Sequence, residues 1–111
     1  MAQVNKGRTW FIDFDGVIVE HHGTKLLPGV KEFFKNIPDD DTIIITTGRS
    51  LQEVEPKICK RFRELFKRDL GLLVGLPCGE RILINDIKPP MKTARAVNVE
   101  RNKGLEGIEI D

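Results

Sequence analysis

The apolar residues of this chain cluster in short runs, and several of these runs end in polar side chains. Five runs are rich in β-branched and other apolar residues, which predicts strands over Thr9–Asp13, Thr42–Thr46, Leu72–Gly75, Arg81–Ile84 and Ala94–Val99. Three of the runs are almost continuously apolar. This pattern is typical of strands in a sheet that is buried on both faces.

A first helix is predicted between the first two strands. It opens after Pro28 and Gly29 and places Val30, Phe33 and Phe34 on one face. The turn-forming residues 38–41 then end it.

A second helix is predicted after the second strand, where Ser50 and Glu53 have the spacing of a capping box. Pro56 is expected to kink or restart this helix, and Gly71 is expected to cap its end. The apolar positions follow at helical spacing: Ile58, Phe62, Leu65, Phe66 and Leu70. Basic residues fill the positions between them, and we expect a solvated face there: Lys60, Arg61, Arg63, Lys67 and Arg68.

Strands that alternate with helices predict an α/β fold with a mainly parallel sheet. One connection does not fit, because Leu76–Glu80 is too short for the crossover that parallel neighbours need. The third and fourth runs therefore form a hairpin, or one of them is not a strand. With 111 residues, the chain is expected to form one domain over residues 1–111.

Charge and hydropathy exclude some classes of function. A net charge of +1 gives no reason to expect binding to nucleic acid or to a membrane surface. No apolar run approaches the roughly 20 residues that span a bilayer. The segment Met1–Arg8 is polar and lacks the apolar centre of a signal peptide, so a cytoplasmic location is expected.

The polar strand ends predict a functional site. In a parallel sheet Asp13, Asp15, Thr47 and Asp86 lie on the carboxyl edge, where ligands of α/β folds bind. Asp13 and Asp86 are suited to hold Mg²⁺, one aspartate to attack phosphorus and its neighbour to move protons. The Thr47 hydroxyl and amide are suited to phosphoryl oxygens. The other interpretation, that both aspartates are ordinary turn residues, is less favoured because three strand ends carry matching chemistry.

These motifs resemble those of the haloacid dehalogenase (HAD) superfamily of phosphohydrolases. The resemblance covers about residues 9–99 and rests on a strand before Asp13-Phe14-Asp15-Gly16-Val17-Ile18, a strand before Thr47-Gly48-Arg49 and a strand before Asn85-Asp86. It implies a Rossmann-like fold in which helices flank a parallel sheet.

The resemblance also implies a role for each residue of the site. Asp13 is the nucleophile that forms an aspartyl-phosphate, and the Asp15 side chain is the general acid and base, while its backbone carbonyl binds Mg²⁺. Thr47, together with Gly48 and Arg49, binds the phosphoryl group. The metal is further held by Asp86, with Asn85 in support.

The sequence departs from the family at the cation of the third motif. Capless relatives often have Gly-Lys-Pro where this chain has Gly75-Leu76-Pro77. Arg81, at the start of its predicted strand, is expected to lie far from the carboxyl edge. Lys88 is therefore predicted to supply the positive charge, and activity is weak or absent if neither residue reaches the site.

The size of the chain is similar to that of capless members of the superfamily. The segment Glu20–Leu27, here called the flap, is too short for a cap domain. Capless enzymes bind large substrates in an open site or cover the site with a neighbouring subunit, which makes a homo-oligomer plausible. The resemblance favours a small phosphorylated substrate, with sugar phosphates as the leading class.

Other basic residues have two interpretations. His21 and His22 in the flap contact substrate or a second metal, or they are ordinary loop residues, which is the more common case. A basic group near the C-terminus holds an anionic substrate or is a set of spaced surface charges, and the second reading is favoured: Lys88, Lys92, Arg95, Arg101 and Lys103.

Two other functions remain open. A non-catalytic phosphate-binding or scaffold domain would share the fold, and the missing third-motif lysine favours it. A receiver domain would share the parallel sheet and Mg²⁺, but its phospho-acceptor follows the third strand, which fits this sequence poorly.

Overall fold

The structure, a computed structural model, describes residues 7–56, 60–86 and 94–110. Its elements follow the chain as β1 (Thr9–Asp13), α1 (Val30–Asn36), β2 (Thr42–Thr46), α2 (Leu51–Val54), α3 (Lys60–Phe66) and β3 (Gly71–Leu73). The chain is a small α/β protein, as the alternation of strands and helices predicted.

In the part of the chain that the structure describes, the sheet has three parallel strands in the order β1-β2-β3. The register pairs Asp13 with Thr46, and Thr46 with Leu73. The three strands therefore end side by side, and the residues that follow them share one carboxyl edge. The first three predicted strands are confirmed, the third beginning at Gly71 and ending at Leu73.

The core lies on one face of this sheet. Ile12, Ile43 and Ile45 are buried there, as side chains that alternate along β1 and β2. Aromatic contacts join this face to the helices and the helices to each other: Trp10 with Phe33, Phe14 with Phe62, and Phe34 with Phe66. Burial of this apolar surface, rather than helix propensity, stabilises the short helices.

The opposite face of the sheet is open within the described part of the chain. Phe11 is 57% exposed and Leu73 is 45% exposed. The prediction of a sheet buried on both faces is therefore wrong for these residues. The reason is that α1 and α3 pack against each other on the same side, through Phe34 and Phe66.

The fourth and fifth predicted strands are also wrong. Residues 81–84 and 94–99 form no strand, and Ile82, Leu83 and Ile84 are 77%, 66% and 92% exposed. Only Val74–Glu80 separates β3 from this apolar run, which is too short for a parallel crossover. The sequence left two possibilities open, a hairpin or a run that is not a strand. The second is correct, because the fourth run is not a strand.

The capping box at Ser50 is present, since the Ser50 hydroxyl accepts from the Glu53 N–H and the Glu53 carboxylate accepts from the Ser50 N–H. The α-helical part ends at Val54, residues 55 and 56 continue as π-helix, and α3 begins at Lys60. The kink or restart expected at Pro56 stays a prediction, because residues 57–59 lie outside the described residues. Ile58 lies outside the described residues. Gly71 is the first residue of β3 and not a helix cap, because α3 already ends at Phe66.

The basic face of α3 is only partly solvated. Lys60 and Arg61 are exposed, but Arg63 forms an ion pair with Glu55 and donates to the Leu70 carbonyl. Arg68 donates to the carbonyls of Ile37 and Pro38, at 2.7 and 2.9 Å, which attaches the end of α3 to the turn before β2.

Candidate functional site

The chain turns sharply where β1 ends. The Phe14 N–H donates to the Thr46 carbonyl at 2.8 Å and continues the pairing with β2 one residue past the strand. Gly16 follows at a φ of +84°, which favours glycine, and its N–H donates to Val19 at 2.7 Å. Asp13 and Asp15 therefore lie on either side of the last sheet hydrogen bond.

Asp15 is the more constrained of the two aspartates. Its Oδ2 accepts from the Thr47 hydroxyl at 3.0 Å, and its Oδ1 accepts from Arg49 Nε at 2.8 Å. A second guanidinium nitrogen of Arg49 lies 2.6 Å from Oδ1. The pair is partly buried, so its attraction is screened less than that of a surface salt bridge. Both carboxylate oxygens are thus held in place.

Thr47 is completely buried at the end of β2. Its hydroxyl donates to Asp15 and accepts from the Arg49 N–H at 3.1 Å, while its own N–H donates to the Leu73 carbonyl at 3.0 Å. The two groups that the sequence assigned to phosphoryl oxygens therefore bind protein atoms in this structure. Its role in phosphate binding stays a prediction.

Arg49 connects the site to the flap. It pairs with Asp15, donates to the Gly23 carbonyl at 2.6 Å and lies over the Phe14 ring at 5.3 Å from the centroid. The sequence predicted Arg49 as a phosphate contact together with Gly48, and it missed this positioning of Asp15. Opposite charges at the ends of two neighbouring strands were the signal that could have indicated the pair. Gly48 is exposed at the same edge.

Asp13 is exposed at the end of β1 and forms no salt bridge with any residue in the described ranges. Although the side chain is accessible, neighbouring protein atoms desolvate its carboxyl group in part, which raises the pKa of Asp13 above the ordinary value and outweighs the opposing influence of Arg81. Arg81 is thus close enough to act on Asp13 electrostatically. The expectation that Arg81 lies far from this edge is wrong, because residues 81–84 form no strand along the sheet.

The other predicted metal ligands are not gathered here. Asn85 and Asp86 are exposed and follow no strand. Among the residues that the structure describes, no three side chains of His, Cys, Asp or Glu form a group that could hold a metal ion. Asp13, Asp15 and Asp86 are therefore not brought together. Lys88 lies outside the described residues.

The remaining donors still fit Mg²⁺ in one respect. Asp13 presents a carboxylate at an open edge, and Mg²⁺ is commonly held by one or two carboxylates with water and substrate phosphate. Asp15 is a poorer side-chain ligand, since both of its carboxylate oxygens are bonded to Thr47 and Arg49.

The flap places two histidines beside the site. The rings of His21 and His22 lie 3.9 Å apart, and His21 is close enough to Asp13 and Asp15 for electrostatic interaction with both. Desolvation, followed by the positive charge of Arg101, lowers the pKa of His21. A neutral imidazole is therefore favoured at the mouth of the site.

No family model, no curated protein and no solved structure is matched by this chain. None of the helices in the described ranges has the length and apolar composition needed to cross a membrane.

Proposed function

We propose that this protein is a magnesium-dependent phosphomonoester hydrolase of the HAD type, in which Asp13 is the nucleophile. One observation carries the proposal: two aspartates at the carboxyl edge of a parallel sheet have unequal environments. Asp13 is exposed with a raised pKa, whereas Asp15 is held by Thr47 and Arg49. Unequal environments suit two carboxyl groups that take different roles in one reaction.

In the first half of the proposed reaction, an oxygen of the Asp13 carboxylate attacks phosphorus. The bond from phosphorus to Asp13 forms as the bond to the leaving oxygen breaks, and the leaving oxygen takes a proton from Asp15. The exposure of Asp13 at the open end of β1 supports this role, because a nucleophile has to reach the phosphorus atom of the substrate.

In the second half, Asp15 acts as the base. It removes a proton from water, the water oxygen bonds to phosphorus, and the bond from phosphorus to Asp13 breaks. The contacts with Thr47 and Arg49 are compatible with this assignment in one respect, because they hold Asp15 at the same sheet edge as Asp13, where the water would attack.

Positive charge is needed near Asp13, since a carboxylate and a phosphoryl group repel one another. Arg81 is the described cation that acts on Asp13, and we propose it for the role that the sequence assigned to Lys88. Mg²⁺, held by Asp13 with water and substrate phosphate, supplies further positive charge when bound.

The proposal includes the finer architecture and the substrate class. The three parallel strands and the short flap are consistent with a Rossmann-like, capless HAD fold in one domain. The resemblance to capless members favours a small phosphorylated substrate, with sugar phosphates as the leading class. A receiver domain is less well supported, because β3 is followed by Val74 and Gly75 and not by an acidic residue.

Hydrolysis of p-nitrophenyl phosphate, with and without Mg²⁺, tests the proposal. We expect magnesium-dependent turnover that Asp13→Asn lowers by about 10³-fold or more, as removal of a nucleophile does. Asp39→Asn is the matched control, because Asp39 is exposed in the turn before β2. It is expected to leave kcat/KM unchanged.

A folded wild-type protein that hydrolyses no member of a broad phosphomonoester panel would contradict the enzyme proposal. If the same protein still binds inorganic phosphate, the phosphate-binding or scaffold function becomes the better assignment. Turnover that survives in Asp13→Asn would instead exclude Asp13 as the nucleophile.

A further inference from the structure

A second polar feature lies beside the site, in the segment Glu100–Leu105, here called the C-terminal turn. The Asn102 N–H donates to the Gly16 carbonyl at 2.8 Å, and the Asn102 side-chain oxygen accepts from the His21 N–H at 2.8 Å. Asn102 has a φ of 62°, a conformation that asparagine tolerates better than most residues. One residue thus attaches the C-terminal turn to the loop that follows Asp15.

The far end of the C-terminal turn is fastened as well. The Leu105 N–H donates to the Pro28 carbonyl at 2.9 Å, and Leu105 is buried in the core. A Cβ on Gly104 would lie 2.0 Å from the same carbonyl oxygen, so the two backbones are in close contact. The C-terminal turn is therefore a fixed part of the site's surroundings.

This attachment places Arg101 over the turn that carries Asp15. The Cγ atom of Arg101 lies 3.1 Å from the position that a Cβ on Gly16 would occupy. Arg101 is also near His21, whose pKa it lowers. The side chain thus lies at the rim of the site, next to the flap.

Arg101 differs from the other two arginines near the aspartates in its charge partners. Arg49 is paired with Asp15, and Arg81 acts on Asp13. No salt bridge in the described ranges involves Arg101, which is exposed. An arginine in this position can bind a carboxylate or a phosphoryl group through two parallel hydrogen bonds.

We propose that Arg101 binds a second anionic group of the substrate. This group lies on the leaving group, the part of the substrate that departs when the phosphoryl group is transferred to Asp13. The inference rests on the proposed function and narrows its substrate class. The preferred substrates are phosphomonoesters whose leaving group carries a carboxylate or a second phosphoryl group. Arg101 binds that group from the C-terminal turn, which the hydrogen bonds of Asn102 with Gly16 and His21 attach to the rim.

Three compounds of similar size test this: glucose 6-phosphate, 6-phosphogluconate and glucose 1,6-bisphosphate. The first lacks a second anionic group, the second adds a carboxylate and the third adds a phosphoryl group. Arg101→Gln is the main variant, because it keeps the stem that packs on Gly16 and removes the charge. Lys35→Gln, on the exposed side of α1, controls for the change in net charge.

We expect Arg101→Gln to lower kcat/KM by about 10–100-fold for at least one doubly anionic compound and by less than about twofold for glucose 6-phosphate. Arg101→Lys is expected to recover part of the loss. Comparing 6-phosphogluconate with glucose 1,6-bisphosphate identifies which anionic group is bound. Lys35→Gln is expected to match the wild type on all three compounds.

Equal losses on all three compounds, or no loss on any, would overturn the assignment. So would a loss of the same size in Lys35→Gln. If wild-type protein hydrolyses no phosphomonoester, calorimetric binding of the same three compounds still decides the question. If Arg101→Gln binds a doubly anionic compound more weakly than wild type but binds glucose 6-phosphate equally well, the rim site is supported. Unchanged binding of all three compounds refutes the rim site, even where the enzyme proposal has already failed.

Discussion

The two ends of the sheet shift the pKa of an aspartate in opposite directions. At the amino end Asp41 is buried and accepts from the Arg8 N–H at 2.9 Å, Arg8 Nε at 3.2 Å and Trp10 Nε1 at 2.8 Å. The hydrogen bonds from Trp10 and Arg8 outweigh the cost of burial and lower the pKa of Asp41. At the carboxyl end, desolvation by neighbouring protein atoms raises the pKa of Asp13.

This difference separates a structural carboxylate from a candidate functional one. Asp41 is stabilised as an anion by the fold, so its ionisation contributes to stability. Asp13 is ionised at a cost, which is typical of groups placed for chemistry rather than for stability. Asp15 shares features of both, since its carboxylate is hydrogen-bonded by Thr47 and Arg49 and lies at the same sheet edge as Asp13.

Among these variants, the largest change in the free energy of unfolding is expected from Asp41→Ala. It removes the acceptor of the Trp10 indole N–H and of Arg8, and we expect a loss of about 2–3 kcal/mol in the free energy of unfolding. Urea denaturation measures it. Asp39→Ala, in the same turn but exposed, is expected to change stability by less than about 0.5 kcal/mol. Equal losses in both variants would show that the buried hydrogen bonds contribute little.

Acid should remove the contribution of Asp41 selectively. Because the pKa of Asp41 is lower in the folded state, its contribution is present above the unfolded value of about 3.9 and is lost as pH falls through the lower folded value. The stability gap between wild type and Asp41→Asn is therefore expected to be constant from pH 7 to 5 and to narrow below about pH 4. A gap that widens in acid would reverse the sign of this linkage.

Arg49→Gln is expected to have a smaller effect, at the carboxyl edge. It removes the partly buried ion pair with Asp15, and we expect a loss of about 1–2 kcal/mol, between the values typical of exposed and buried pairs. Lys60→Gln, an exposed position on α3, is the control and is expected to be neutral. A neutral Arg49→Gln variant would contradict a net stabilising contribution of the pair.

The smallest change in stability, and the only gain in stability, is expected from Asp13→Asn. Because the pKa of Asp13 is raised in the folded state, its ionisation costs stability as pH rises above the unfolded value. Solvent screening limits the gain at pH 7 to about 0.5 kcal/mol or less. Differential scanning calorimetry is expected to show a slightly higher Tm than wild type at pH 7 and no difference at pH 3. A lower Tm at pH 7 would contradict the raised pKa.

The fold could be predicted where local pattern and tertiary packing agree. The strand β2 is an apolar run between two partners, and α1 carries its apolar residues on the face that the sheet covers. The run at residues 81–84 has an equally strong pattern, but no strand within the described residues lies beside it. A strand needs a partner for its backbone hydrogen bonds. The short connection after β3 excludes a parallel neighbour but allows a hairpin, so the sequence alone does not decide whether this run has a partner.

The sequence predicts which residues of the site lie at the sheet edge, but not which hydrogen bonds and ion pairs join them. The positions of Asp13, Asp15 and Thr47 at one edge follow from parallel strands that end together. The bonds from Arg49 to both Asp15 and the flap do not follow, because they depend on side-chain directions in loops. The contact of Asn102 with His21 joins residues 81 positions apart, a distance over which local patterns carry no information.

The sequence by itself determined the strands β1, β2 and β3, the capped helix start at Ser50 and the group of polar residues at one sheet edge, since each depends on near neighbours in the chain. Only the tertiary structure decided that Asp41, which reads as a turn residue, is buried among Arg8 and Trp10, while Asp13 stays exposed. The reason is that burial and charge partners set the properties of a carboxylate, and both are supplied by distant parts of the chain.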